Sequence, residues 1–181
     1  MDITDQEILE KFAVESTQQF AFNLLVKKYQ EKLYWHVRRM VINHEDTNDL
    51  IQEIFIKVWK NLHKFRGDSK LYTYLYRIAT NETLTFLNKK KRKYFLPLSN
   101  VEKKLEEELV ASTSFDPDKL ELKLQKAILS LPTKQRLIFN MRYYDDLSYE
   151  EISQMVNTSV GALKASYHHA AKKVEKFIID D

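Results

Sequence analysis

The sequence predicts an all-α protein: two small helical domains joined by a flexible linker. Three observations carry that expectation. Only 2 Gly and 3 Pro interrupt 181 residues, and the stretches between them are rich in Leu, Ile, Lys, Glu and Gln, a helix-favouring composition. Apolar residues recur three and four apart on both sides of the chain's middle. Residues 94–119 lose that period and carry Pro97 and Pro117. With 44% hydrophobic and 12% aromatic residues there is material for a core, which argues against wholesale disorder.

The first domain spans residues 1–93. From Thr17 to Ile42, Phe20, Leu24, Leu25, Tyr29, Leu33, Val37, Met40 and Val41 follow helical spacing. NHEDTNDL then reads as a helix start, with Asp46 or Thr47 as cap. Leu50, Ile51, Ile54, Phe55, Val58, Trp59 and Leu62 form a broad apolar stripe, so IFIKVW belongs to an amphipathic helix despite its strand-like look. KFRGDS breaks the pattern at Gly67. Leu71 to Asn88 resumes it and runs into Lys89, Lys90, Lys91, Arg92 and Lys93. The stretch SNVEKKLEEELVASTSFDPD is the linker, with one short helical piece expected around Leu105. The second domain, 120–181, holds four helix candidates separated by LPTK, DDLS and VNTS, each offering a Ser, Thr or Asp as cap.

Composition narrows the function. The absence of Cys excludes a disulfide framework, a thiolate metal site and a Cys nucleophile. The start, MDITDQEILEKF, has no signal-like apolar run and nothing later approaches a membrane span, so a soluble, cytoplasmic protein is expected. There is no P-loop, nucleotide-binding glycine pattern or metal-spaced His/Glu pair, so neither an enzyme nor a cofactor is expected. His168 and His169 are a poor metal pair, because helix neighbours point about 100° apart. HED at His44 reads as a helix start. A net charge of +3 says little; its distribution says more.

In SYEEISQMV, Ser148 caps a helix and Glu151 completes a capping box, with Ile152, Met155 and Val156 inward. Ser159 can cap the next helix, whose inward stripe is Val160, Leu163, Tyr167, Ala170 or Ala171, and Val174. The outer face of that second helix carries no acid until Glu175 and has Gly161 in its first turn. Two helices so closely joined fit a helix-turn-helix, the second entering a DNA major groove. A first-turn Gly is also cheap and a helix without acids can arise by chance, so this pattern alone leaves both readings open. In the first domain, Tyr72, Tyr74, Tyr76, Arg77 and Asn81 precede the basic run. Aromatics among cations suit unstacked bases, while helical spacing through Leu71, Leu75 and Ile78 sends some of these rings to the core. Five cations on five phosphates would give a salt slope of about −4.5.

Together the motifs resemble the extracytoplasmic-function group of bacterial sigma factors. DLIQEIFIKVW resembles the region 2 core helix, and FRGDSKLYTYLYRIATN with the basic run resembles the promoter-melting segment. LPTKQRLIFNMRYYDDLSYEEISQMVNTSVGALKASYHHAAKKV resembles region 4. The resemblance implies a dissociable subunit of core RNA polymerase. Asp49, Gln52 and Glu53 would dock on the clamp helices of the largest polymerase subunit, and region 4 on the flap of the second-largest. Region 2 would melt the −10 element: Phe65, Arg66, Gly67, Asp68 and Ser69 read an extruded base. Tyr72, Tyr74, Arg77 and Asn81 line the strand's path, and Lys89, Lys90, Lys91 and Arg92 anchor phosphates. Ser159, Gly161, Ala162, Lys164, Ser166 and His168 would read the −35 element, with Arg142 and Glu150 beside the DNA. The linker would thread towards the polymerase active site, and an anti-sigma factor is an implied partner. The chain departs from the family in having Tyr74 where Trp is frequent, and Ala165, Ser166 and His169 where Ser, Arg and Arg are common. Two other readings remain: a free-standing regulator, which would not need the Asp49 face, and a protein-binding adaptor, which would not need Lys164 and Ser166.

Overall fold

The computed structural model describes residues 3–93, 107 and 119–180. Eight α-helices, one 3₁₀ turn and no strand make up the described residues. Of the linker 94–119 only Glu107 and Lys119, the latter at a helix start, are among them, so the helical piece expected around Leu105 lies outside the described residues.

Four helices form the first half. Helix α1 (Asp5–Phe12) starts at Thr4, whose hydroxyl accepts from the Glu7 N–H while Glu7 reaches back to the Thr4 N–H. This capping box was missed in the sequence. Helix α2 (Glu15–Val41) buries Leu25, Tyr29, Leu33, Val37, Met40 and Val41 as the spacing predicts. Phe20 is 57% exposed and Leu24 only half-buried, because Ala21 and Phe22 take the inward positions at that level of the helix. The chain turns at Ile42, which holds φ at 68°, a strained value for a β-branched residue. Burial of its side chain with Leu129 offsets that strain. Helix α3 (His44–Asn61) is capped by Asn43, whose Oδ1 accepts from the Asp46 N–H at 2.9 Å, not by Asp46 or Thr47. Thr47 lies inside the helix and donates to the Asn43 carbonyl at 2.6 Å. A 3₁₀ turn (Leu62–Lys64) and a loop with Gly67 at φ 79° lead to α4 (Leu71–Lys93).

The second half contains α5 (Lys119–Leu129), α6 (Thr133–Tyr143), α7 (Tyr149–Val156) and α8 (Val160–Asp180). Pro132 stands at the α6 cap position without a side-chain bond, so one of the expected polar caps is not used there. Its ring pre-sets the chain for a helix start. Ala127, Ile128, Leu131, Phe139, Ala170 and Val174 form a cluster private to this half.

The two halves also pack on each other. Helix α7 lies against α4, and α6 against α2. Leu137, Ile138, Met141, Leu147, Ile152, Met155 and Leu163 join the same buried cluster as Leu25, Leu33, Ile54 and Leu75. Patterning places Ile152, Met155 and Leu163 inward, but it neither singles out the other four nor reveals that the partner is the other half.

Candidate nucleic-acid interface

On α3, Asp49, Gln52, Glu53 and Ile56 fall at intervals of three and four, hence on one face. All four are exposed, Ile56 by 54%. The capped, strongly amphipathic helix turns its stripe inward and leaves this face to solvent.

A second surface centres on the loop after the 3₁₀ turn. Phe65, Arg66, Asp68 and Ser69, with Tyr74 and Arg77 of α4, line most of a cavity of 540 Å³. The Phe65 and Tyr74 rings lie 5.0 Å apart at 49°, and the Arg77 guanidinium sits 6.0 Å from the Tyr74 ring. The Tyr74 hydroxyl donates to the Asn61 carbonyl at 3.3 Å. Burial raises its pKa and the Arg77 charge opposes that. The positive φ of Gly67 lets the loop fold back over the α4 start. Gln154 of α7 also lines this cavity, a contribution no sequence signal announced.

Helix geometry divides the expected strand path. Tyr74, Arg77 and Asn81 share one face of α4, and Asn81 is exposed. Tyr72 is two positions from Tyr74 and so points about 200° away. Its ring packs at 4.8 Å on the buried Tyr76. Burial, then the nearby Glu151 and Asp145 carboxylates, push its pKa up, which places it at the seam with the second half. The basic run divides likewise. Lys89 and Arg92 are exposed. Lys90 pairs with Asp46 at 2.8 Å, and Lys91 donates to the Thr133 hydroxyl at 3.0 Å. Consecutive helical residues point around the axis, so this run cannot form a single-sided stripe in this conformation.

The third surface is α7–α8. Ser148 and Glu151 form the predicted capping box. Bonds from the Ser148 backbone hold the Glu151 carboxyl below its ordinary range, against a weaker opposing effect of burial. Asn157 closes α7 at φ 51°, and the Ser159 hydroxyl accepts from the Ala162 N–H at 3.3 Å. Ser159, Gly161, Ala162, Lys164 and His168 are exposed, and Ser166 is half-buried. Lys164 and Arg142 lie 5.8 and 5.0 Å from the Tyr149 ring. Glu150 is exposed. Arg142 donates to the Leu147 carbonyl and its Nε is buried, so it braces the turn before α7 and presents little of its charge outward. Tyr149, read only as part of the helix start, is the ring on which both cations rest.

Residues 25–93 match the Sigma-70 region 2 family and residues 121–174 the Sigma-70, region 4 family. The chain is 35% identical over 183 residues to the ECF RNA polymerase sigma-E factor of Escherichia coli (strain K12), covering 96% of this chain and 93% of that one. It is 34% identical over 175 residues to the ECF RNA polymerase sigma factor SigW of Bacillus subtilis (strain 168), covering 92% and 94%. Two solved structures share the fold. The sigma factor RpoE in complex with the anti-sigma factor NepR from Bartonella quintana superposes with TM-score 0.68 at 18% identity, over 88% of this chain and 98% of that one. CnrH in complex with the cytosolic domain of CnrY gives 0.69 at 21%, over 98% of each.

Proposed function

Because the chain belongs to the extracytoplasmic-function sigma factors of bacterial RNA polymerase, we propose a division of its promoter work among the three surfaces described above. As a sigma factor it directs promoter-specific initiation and is not itself an enzyme. The α3 face of Asp49, Gln52 and Glu53 docks on the largest polymerase subunit, with region 4 on the flap of the second-largest. Residues 1–93 act on the −10 element: the cavity at Phe65, Tyr74 and Arg77 takes an unstacked base, Asn81 continues the strand's path, and Lys89 and Arg92 anchor phosphates. Residues 120–181 act on the −35 element through the exposed first turns of α8, and 94–119 connects the two. The protein works beside polymerase in the cytoplasm. No described helix is long and apolar enough to cross a membrane. An anti-sigma partner is proposed by analogy with the two structural neighbours, each solved with its own.

One observation carries this reading: a single chain combines an open aromatic–cation cavity, roomy enough to admit a base, with a capped helix pair whose second helix presents Gly161, Lys164 and His168. Opening duplex costs on the order of 1.4 kcal/mol per base step. Several steps exceed what one small domain sustains, so tight promoter engagement requires polymerase. Transcription from genomic DNA with core polymerase, with start sites sequenced, tests the reading. Discrete new start sites are expected, and their absence overturns it. Asp49→Ala with Gln52→Ala should abolish core binding; if core binding and promoter activity are untouched, the docking face is not the one formed by these residues.

A further inference from the structure

Beside the shared apolar cluster, one buried carboxylate ties the two halves together. Asp145, in the turn between α6 and α7, reaches into α2. Its Oδ2 lies 2.8 Å from His36 Nδ1, and its Oδ1 accepts from Arg39 Nη1 at 2.7 Å. The Asp145 side chain is 4% exposed and that of His36 1%. His36 Nε2 lies 3.0 Å from the Thr80 hydroxyl of α4, and its ring packs 4.9 Å from Tyr76. The Arg39 guanidinium lies 4.4 Å from the Tyr144 ring. A carboxylate withdrawn from water requires such partners. Once paired, it fixes the register of packed elements more than it adds stability. The clasp therefore selects one closed arrangement without freezing it.

What that arrangement covers is specific. Gln154 enters the wall of the Phe65–Tyr74–Arg77 cavity, Glu151 and Asp145 face Tyr72, and Thr133 holds Lys91. The Gln154 contact falls on the proposed strand-binding cavity, while Tyr72 and Lys91 lie on the side of α4 that faces the second half. Asp49, Gln52 and Glu53 stay exposed.

We propose that Asp145 is a latch: held by His36 and Arg39, it keeps the free protein closed, with its strand-binding surface partly covered and its polymerase-docking face open. Polymerase then docks first, and promoter contact follows release of Asp145. The masking rests on the surface assignments proposed above; the latch itself does not.

The test uses the full chain. Asp145→Asn keeps the shape and removes the charge. Since the chain has no native Cys, spin labels on K27C and K172C, exposed positions in α2 and α8, report the separation of the halves by double electron–electron resonance. A narrow distribution is expected with Asp145. D145N should broaden and lengthen it, raising the open-to-closed ratio by about tenfold, or about 1.4 kcal/mol. A fluorescein-labelled single-stranded oligonucleotide at low salt should bind D145N more tightly, by up to about tenfold, because apparent affinity follows the competent fraction. Arg39→Ala removes one arm and should shift both readouts the same way, less far; it carries the test if D145N does not fold. Unchanged distances in a folded variant overturn the latch. Longer distances without tighter oligonucleotide binding overturn the masking, and in that case loss of transcription in Tyr74→Ala would still uphold the surface assignment.

Discussion

At Gly161, stability and function pull apart. It is the second residue of α8, it is exposed, and a Cβ built there meets nothing within 4 Å. Alanine is better in a helix by up to about 1 kcal/mol. Gly161→Ala should therefore raise the melting temperature of the free protein by roughly 2–4 °C. If α8 meets the −35 element as proposed, promoter-directed transcription should fall, because the methyl would stand between backbone and DNA; a variant gaining in both would remove Gly161 from the interface. Tyr74 makes a complementary case. Its ring packs at a tilt beside Phe65, while among the described residues its hydroxyl donates to the Asn61 carbonyl. Base–aromatic stacking is worth about 1–3 kcal/mol, so Tyr74→Ala should weaken polymerase-dependent fork-junction binding roughly 5–150-fold. Tyr74→Phe should stay near wild type in the same binding series. The setting of both residues was legible, a first-turn Gly on an outer face and a ring among rings and cations, while the roles proposed for them rest on the family resemblance. That of Arg142 was not: its carbonyl partner and the ring beneath it depend on how the turn before α7 closes.

Elements were legible where their start signals are local. Ser148 and Glu151 satisfy each other three residues apart, so the start of α7 could be read directly. Asn43 was missed because NHEDTND offers several capping residues in a row, and the choice among them is made by the positive φ at Ile42, which no local pattern encodes. The α7 box has a consequence for pH. Glu151 titrates below its ordinary value of 4.5 in the folded protein. A depressed carboxyl contributes stability above that ordinary value and loses it as pH falls through the lower, folded value. Ser148→Ala should cost about 1 kcal/mol, measured by urea unfolding at pH 7. That difference should shrink on acidification below about pH 4.5 as Glu151 protonates. A cost independent of pH would show that the Ser148 hydroxyl takes no part in holding the carboxylate, which the Ser148 backbone N–H would then hold alone.

At the scale of the whole molecule, an apolar stripe states that a face is buried and leaves open what covers it. Met141, Ile152 and Leu163 carry ordinary inward positions of a helix-turn-helix, yet they share a cluster with Ile54 and Leu75 of the other half. Asp145 reads in sequence as one of two acids before a helix, and its partners lie more than a hundred residues earlier. Neither fact could be drawn from periodicity. Each half is also small, and a chain of about 60 residues buries only about 60% of its surface alone, so the shared cluster bears on how the protein melts. Calorimetry should record one cooperative transition. Leu75→Ala, at a fully buried position of α4, should lower it as a unit by about 2–5 kcal/mol. Leu131→Ala, in the cluster private to the second half, should move the same transition, since melting that half also uncovers the seam on α4. Two transitions, each answering to only one of these substitutions, would show that the halves unfold independently and that their contact in the free protein is too weak to couple them.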